Sequence, residues 1–158
     1  MDGDRHVREK GFGASRRDHD ALVAVVGTAY VNLGRVTALA VLAAVPVGFL
    51  ATALLVVNNL RDIESDTKAG KKTLAVRSGD RATRGLYAGL LIGSFVLVVV
   101  IAFSRPAALL TLLAIGAALG PLRRVLGGAS GHSLISALVA TGTLQLAFGA
   151  LLALGIAL

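Results

Sequence analysis

Two aspartates, Asp62 and Asp66, stand four residues apart at the end of a long apolar run, and Lys68, Lys71, Lys72 and Arg77 follow close behind. If the helix predicted for that run continues a turn or two further, positions 58, 62 and 66 share one face. The Asn58 amide then lies one turn before the two carboxylates, and Glu64 points elsewhere. Two carboxylates a turn apart repel unless a cation sits between them. The hard cation that takes carboxylate oxygens and still keeps sites for water and phosphate is Mg²⁺. The predicted chemistry is capture of a phosphate-bearing anion, with Lys68, Lys71, Lys72 and Arg77 neutralising a metal-bridged diphosphate. Gly70 gives the backbone the freedom to fold the lysines back. The same spacing also describes a solvated helix end, where Asp and Lys serve only solubility. Asn58 and Asn59 favour a site, because amides at the mouth of an apolar run are costly unless they bond to something. Gly70-Lys71-Lys72-Thr73 is not a P-loop: it lacks the Gly-Lys-Ser/Thr ending and follows an apolar span rather than a strand.

The elements that must carry these residues belong in lipid. Of the 158 residues 55% are hydrophobic, 16% charged and 4% aromatic, and the mean hydropathy is +0.77, too apolar for an ordinary soluble domain. Apolar residues fall in unbroken runs at 36–60, 85–103, 106–122 and 133–158, the third marginal in length, with a partial run at 21–33. Even hydrophobicity without alternation excludes a membrane barrel, so the predicted fold class is an all-α, multi-spanning transmembrane helical bundle. Residues 1–20 balance five acids against five bases and are predicted to be a polar, disordered tail rather than a signal peptide. Pro46 is expected to kink or loosen its span. Gly89 to Gly93 and Gly116 to Gly120 are GxxxG patterns, whose usual meaning is close helix packing.

With no cysteine there is no disulfide framework, thiolate zinc site or cysteine nucleophile, and three scattered histidines leave oxygen as the ligand for any metal. The net charge of +7 does not mark a nucleic-acid binder, since the bases collect between the apolar runs without aromatic interleaving. If 21–33 crosses, fourteen of the sixteen Lys and Arg residues fall on one side, leaving Arg35 and Arg105 on the other. The positive-inside rule then makes the 61–84 loop cytoplasmic and the C-terminus external, in a multi-pass plasma-membrane protein.

The run Asn58 to Asp80, NNLRDIESDTKAGKKTLAVRSGD, resembles the second aspartate-rich motif of the UbiA-type intramembrane prenyltransferases, and within them the 1,4-dihydroxy-2-naphthoate polyprenyltransferases of menaquinone synthesis. The family's DxxxD falls on Asp62 and Asp66, its paired asparagines and arginine on Asn58, Asn59 and Arg61, and its GK[KR]TLAVR run on Gly70 to Arg77. GTAYV at 27–31 and the ending QLAFGALLALGI are also similar. The resemblance implies a bundle of about nine spans in which two aspartate motifs face each other and hold Mg²⁺ against the diphosphate of a polyprenyl donor. Loss of diphosphate leaves an allylic cation, which the 1,4-dihydroxy-2-naphthoate ring attacks with release of carbon dioxide. It makes Asp62 and Asp66 the catalytic metal ligands and puts Lys68, Lys72, Arg77, Asn58, Asn59 and Arg61 on the diphosphate. The implied partners are the polyprenyl diphosphate, the aromatic acceptor and the lipid bilayer.

Nothing in residues 1–60 resembles the family's first motif, and Asp18-His19-Asp20 lies in the polar tail. The expectation is a C-terminal half of such an enzyme behind an unrelated start, needing self-association or a missing N-terminal half. A non-catalytic remnant or a partner subunit of a split enzyme is the alternative. Of the smaller signals, Tyr30, Asn32 and Gln145 are expected in packing or helix–helix hydrogen bonds, and His132 in solvent. Arg123 and Arg124 are expected to set topology or to meet a diphosphate or an anionic lipid.

Overall fold

Helix α1 (Ala38–Arg61) carries the first long apolar run. Two short helices, α2 (Ile63–Lys68) and α3 (Leu74–Ser78), precede the second long helix, α4 (Asp80–Ala102). A 3₁₀ helix, Pro106–Ala114, continues into α5 (Ile115–Leu126), and a 3₁₀ turn, Gly131–Leu134, leads into α6 (Ile135–Ala157). This computed structural model describes residues 38–158. The tail 1–20, the partial run 21–33 with Tyr30 and Asn32, and Arg35 lie outside the described residues. Leu42–Leu158 forms one unit, and the contacts that follow are within it.

Ala38–Arg61, Asp80–Ala102, Pro106–Leu126 and Gly131–Ala157 are long and apolar enough to cross a membrane, with mean hydropathies of 1.6 to 2.5. No strand occurs among the described residues. The all-α membrane bundle is therefore the observed fold, and the chain is a multi-pass membrane protein. Only 28% of each apolar window is buried, so large side chains such as Leu55, Ile92, Leu113 and Leu146 face outward. Lipid can cover such surface at no cost, whereas water cannot.

Apart from the adjacent Thr83 and Arg84, the buried stripes step by three and four, which keeps one helix face inward. In α4 the stripe is Thr83, Arg84, Tyr87, Leu91, Ser94, Val98 and Ile101; in α6 it is Ala137, Thr141, Leu144, Phe148, Leu152 and Gly155. Polar members of these stripes join helices. The Thr141 hydroxyl donates to its own helix at Ala137 O, 2.7 Å, so the Tyr87 hydroxyl is left to donate to Thr141 Oγ1 at 2.8 Å. Phe95 meets Phe148 edge to face, with ring centroids 5.4 Å apart. Ser94 Oγ lies 2.8 Å from Leu90 O and 3.1 Å from Pro46 O, sharing its proton between them. Pro46 is buried inside α1 and does not end it. Gln145, expected to bond a neighbouring helix, is half-buried and makes no such bond among the described residues, whereas His132 is exposed.

Two expectations are corrected. Helix α4 starts at Asp80, not at residue 85, so Arg81 and Arg84 are helical rather than loop residues. Gly79, at φ +80°, makes the break. Arg84 Nε and Nη2 grip the Asp80 carboxylate at 2.6 and 2.7 Å, and Nη1 donates to Val125 O near the end of α5. The guanidinium thus ties the start of α4 to the end of α5. Arg84→Met is expected to cost about 2 kcal/mol, the loss of charge-assisted hydrogen bonds from a buried donor, read as a lower unfolding midpoint in detergent.

The second correction concerns glycine. A methyl on Gly89, Gly116 or Gly120 would meet nothing within 4 Å, and one on Gly93 would meet only the Phe49 ring, at 3.1 Å. Close approach occurs instead at Gly155, where a methyl would overlap Ala107 O and come within 2.8 Å of Ala108 Cα.

Candidate metal and diphosphate site

At the end of α1 the helical hydrogen-bond ladder does not stop. Asp62 N–H donates to Asn58 O at 3.2 Å and Asp66 N–H to Asp62 O at 2.8 Å, so Asn58, Asp62 and Asp66 succeed each other by single turns, as the spacing predicts. Helix α2 then ends in a left-handed turn at Gly70, φ +68°. Gly70 N–H donates to Thr67 O at 3.1 Å and Lys71 N–H to Asp66 O at 2.9 Å, the paired bonds of a Schellman motif with glycine where a side chain would be strained. The turn brings Lys71 back onto the carboxylate it has just passed, with Nζ 3.1 Å from Asp66 Oδ1. Thr73, in extended conformation, caps α3 by accepting from Val76 N–H at 3.5 Å, and α3 carries Arg77.

Each aspartate is therefore held by a base of its own. Arg61 grips Asp62 with two bonds of 2.8 Å, from Nε to Oδ1 and from Nη2 to Oδ2. Asp62 keeps 34% of its side-chain surface, whereas Asp66 keeps 10%. Lys68, Lys72 and Arg77 are exposed and make no ion pair among the described residues. Asn58 and Asn59 are half-buried, and their amides make no hydrogen bond among those residues. Their polar groups remain available at the mouth of the helix.

Among the described residues no three His, Cys, Asp or Glu side chains come together as a metal cluster. The donors that follow one another along the chain are the Asn58 and Asn59 amide oxygens and the two carboxylates, all hard. Mg²⁺ characteristically takes one or two carboxylates and completes its shell with water and phosphate, so this set fits it. The Lys71 ammonium bonds Asp66, and its charge also acts on Asp62; the pair already attracts a cation.

The description "UbiA prenyltransferase family" belongs to a family model that matches residues 20–138, a stretch that contains the whole motif from Asn58 to Arg77. The chain belongs to the UbiA prenyltransferase family. It is 44% identical over 121 residues to the 1,4-dihydroxy-2-naphthoate octaprenyltransferase of Mycobacterium leprae (strain TN), covering 77% of this chain and 41% of that relative. It is 44% identical over 124 residues to the protein of the same name from Mycobacterium tuberculosis (strain ATCC 25618 / H37Rv), covering 78% and 42%. The Escherichia coli (strain K12) protein of that name is 45% identical over 74 residues, 47% of this chain and 24% of the relative. The chain thus spans about two fifths of the length of the two mycobacterial relatives. No solved structure matches it.

Membership gives the Asp62 and Asp66 pair a context, and its electrostatics can be tested directly. The Arg61 fork is the main cause that holds the Asp62 carboxyl below its ordinary 3.8, against partial burial, with the Lys71 charge helping. A carboxyl whose pKa is depressed on folding contributes stability above its unfolded pKa, and loses it as pH falls through the folded value. The pair should therefore survive acidification through the ordinary carboxylate range and open only below it. The check is the Asp62 carboxyl-carbon NMR shift in detergent. Its midpoint should lie below 3.8 and should rise in Arg61→Gln.

Sequence reasoning grouped Lys71 with the diphosphate lysines and passed over Arg84. The signal for Arg84 was present, as Asp80 and Arg84 are an i, i+4 pair. For Lys71 the signal was its place directly after a helix-ending glycine.

Proposed function

We propose that this chain serves the Mg²⁺-dependent transfer of a polyprenyl group from polyprenyl diphosphate to 1,4-dihydroxy-2-naphthoate in menaquinone synthesis. The observation that carries the reading is the Asp62–Asp66 pair, one turn apart at the mouth of an apolar helix and followed by Lys68, Lys72 and Arg77, which make no ion pair among the described residues. The relatives' names support the acceptor and the prenyl donor.

Asp62 and Asp66 would hold the metal, with the Asn58 and Asn59 oxygens near it. Bound there, Mg²⁺ supplies positive charge to the leaving diphosphate. Lys68, Lys72 and Arg77 neutralise the remaining phosphate oxygens, and most as charge accumulates on them when the allylic C–O bond breaks and its electron pair leaves with diphosphate. Attack by a ring carbon of the acceptor forms the new C–C bond, and the ring carboxylate departs as carbon dioxide. The apolar helices keep water from the allylic cation. Charge asymmetry supports a cytoplasmic face for residues 61–84 and an external C-terminus in the plasma membrane.

One aspartate pair occurs among the described residues, and the reading calls for a second motif to face it. The test is an assay in membranes with Mg²⁺, labelled polyprenyl diphosphate and 1,4-dihydroxy-2-naphthoate. The chain is supplied alone and together with the N-terminal half of the Mycobacterium tuberculosis relative, each beside Asp62→Ala. Prenylated product that depends on Asp62 in either arm is the expected result. Absence of aspartate-dependent product from both arms would overturn the reading in favour of a non-catalytic membrane protein.

A further inference from the structure

We propose that Lys71 is a tethered counter-ion that occupies the cation position on Asp66 until a divalent metal displaces it, so that this exchange sets how readily metal enters. The inference rests on the metal reading of Asp62 and Asp66 given above, and goes beyond it to what fills that position at rest.

Both ends of Lys71 return to the same residue. Its backbone N–H is bonded to Asp66 O at 2.9 Å, and its Nζ to Asp66 Oδ1 at 3.1 Å. The carboxylate keeps only 10% of its side-chain surface, while the lysine keeps 66%. The ammonium, itself mostly exposed, is thus bonded to one oxygen of a nearly closed acid. Lys68 and Lys72, also exposed, make no such pair among the described residues, so charge alone does not draw Lys71 there. The Gly70 turn aims it.

A tethered group competes at an effective concentration of roughly millimolar, a standing competition that any incoming ion must overcome. A divalent ion brings twice the charge and binds oxygen directly. The ammonium is a point charge on a flexible stem, easier to dislodge than the two-bonded Arg61 fork on Asp62. At rest the two carboxylates are balanced by Arg61 and Lys71. With metal bound, Lys71 is released with its charge unspent, and the loaded site becomes more receptive to an anion. Metal and anion then favour each other's binding, as reciprocity between linked sites requires.

The test uses the full chain in phosphatidylcholine nanodiscs without phosphate, with Mn²⁺ as the probe and the free-ion EPR signal as the readout. Lys71→Met should bind Mn²⁺ about tenfold more tightly than the unaltered chain, since a competitor is gone. Lys71→Arg should not show that gain, and Asp66→Asn should abolish binding in either background. In parallel, Mg²⁺ should raise amine acylation of Lys71 while leaving Lys68 and Lys72 unchanged. Asp66-dependent Mn²⁺ binding of equal or lower affinity in Lys71→Met would overturn the exchange and leave the metal reading standing. Absence of Asp66-dependent binding from every variant would overturn both.

Discussion

Under the proposed function, replacing Asp66 by Asn is expected to lower prenyl transfer by about three orders of magnitude, the scale for losing a group that stabilises developing charge. The substitution is isosteric, and the bonds that shape the turn are made by backbone atoms: Asp66 O accepts from Lys71 N–H, and Asp66 N–H donates to Asp62 O. Helix α2 and the Gly70 turn should therefore persist. What is lost is one negative charge from a side chain that keeps 10% of its surface, together with the bond to the Lys71 ammonium. Lys71 is mostly exposed and can return to water at little cost. An unchanged unfolding midpoint beside collapsed turnover would assign the loss to chemistry rather than to folding. Raising Mg²⁺ should recover part of the rate in Asp66→Glu, which keeps the charge at a new reach, and none in Asp66→Asn. Initial rates in the membrane assay, taken against Mg²⁺ concentration, are the measurement. Less than a tenfold loss would remove Asp66 from the proposed metal site.

The largest stability effect is expected far from the motif, at Gly155. There α6 crosses the 3₁₀ helix so closely that a methyl would overlap Ala107 O and crowd Ala108 Cα. Backbone atoms cannot rotate away as a side-chain tip can, so the two segments must separate. Gly155→Ala is predicted to cost about 3 kcal/mol, at the upper end of overpacking penalties. Gly116→Ala, with nothing within 4 Å, should change stability by about 0.5 kcal/mol or less, helped by the better helix propensity of alanine. Unfolding by SDS titration of the two variants side by side separates them; equal midpoints would contradict the packing described.

The contrast between these two glycines shows where sequence was informative. The face shared by Asn58, Asp62 and Asp66 and the turn at Gly70 depend on neighbours within five residues, so spacing and residue type were enough. The inward stripes were not legible. In a soluble helix the polar face gives away the buried one, but in α4 and α6 the outward residues are as apolar as the inward ones, and Val96 and Leu146 face outward without penalty. Thr83, Ser94 and Thr141 are better guides, because polar side chains in such helices seek the interior and its carbonyls. Gly155 looked like any other glycine, and of the four GxxxG glycines only Gly93 meets a neighbouring helix closely, at the Phe49 ring. Arg84 was counted as loop charge, since its tie to Val125 O spans a stretch that no local pattern bridges. Of the bases after Asp66, only the handedness of one turn separates Lys71 from Lys68 and Lys72.

The 3₁₀ coil of Pro106–Ala114 alters a different quantity, the reach of the chain. Such a coil rises about 2.0 Å per residue against about 1.5 Å in an α-helix. Over its 9 residues the segment therefore gains about 4–5 Å of height without an added residue. The apolar run at 106–122, short by its residue count, becomes with its extension to Leu126 a rod of about 36 Å, ample for a hydrocarbon layer of about 30 Å. Winding tightness, as well as composition, thus matches this part of the protein to the thickness of its bilayer.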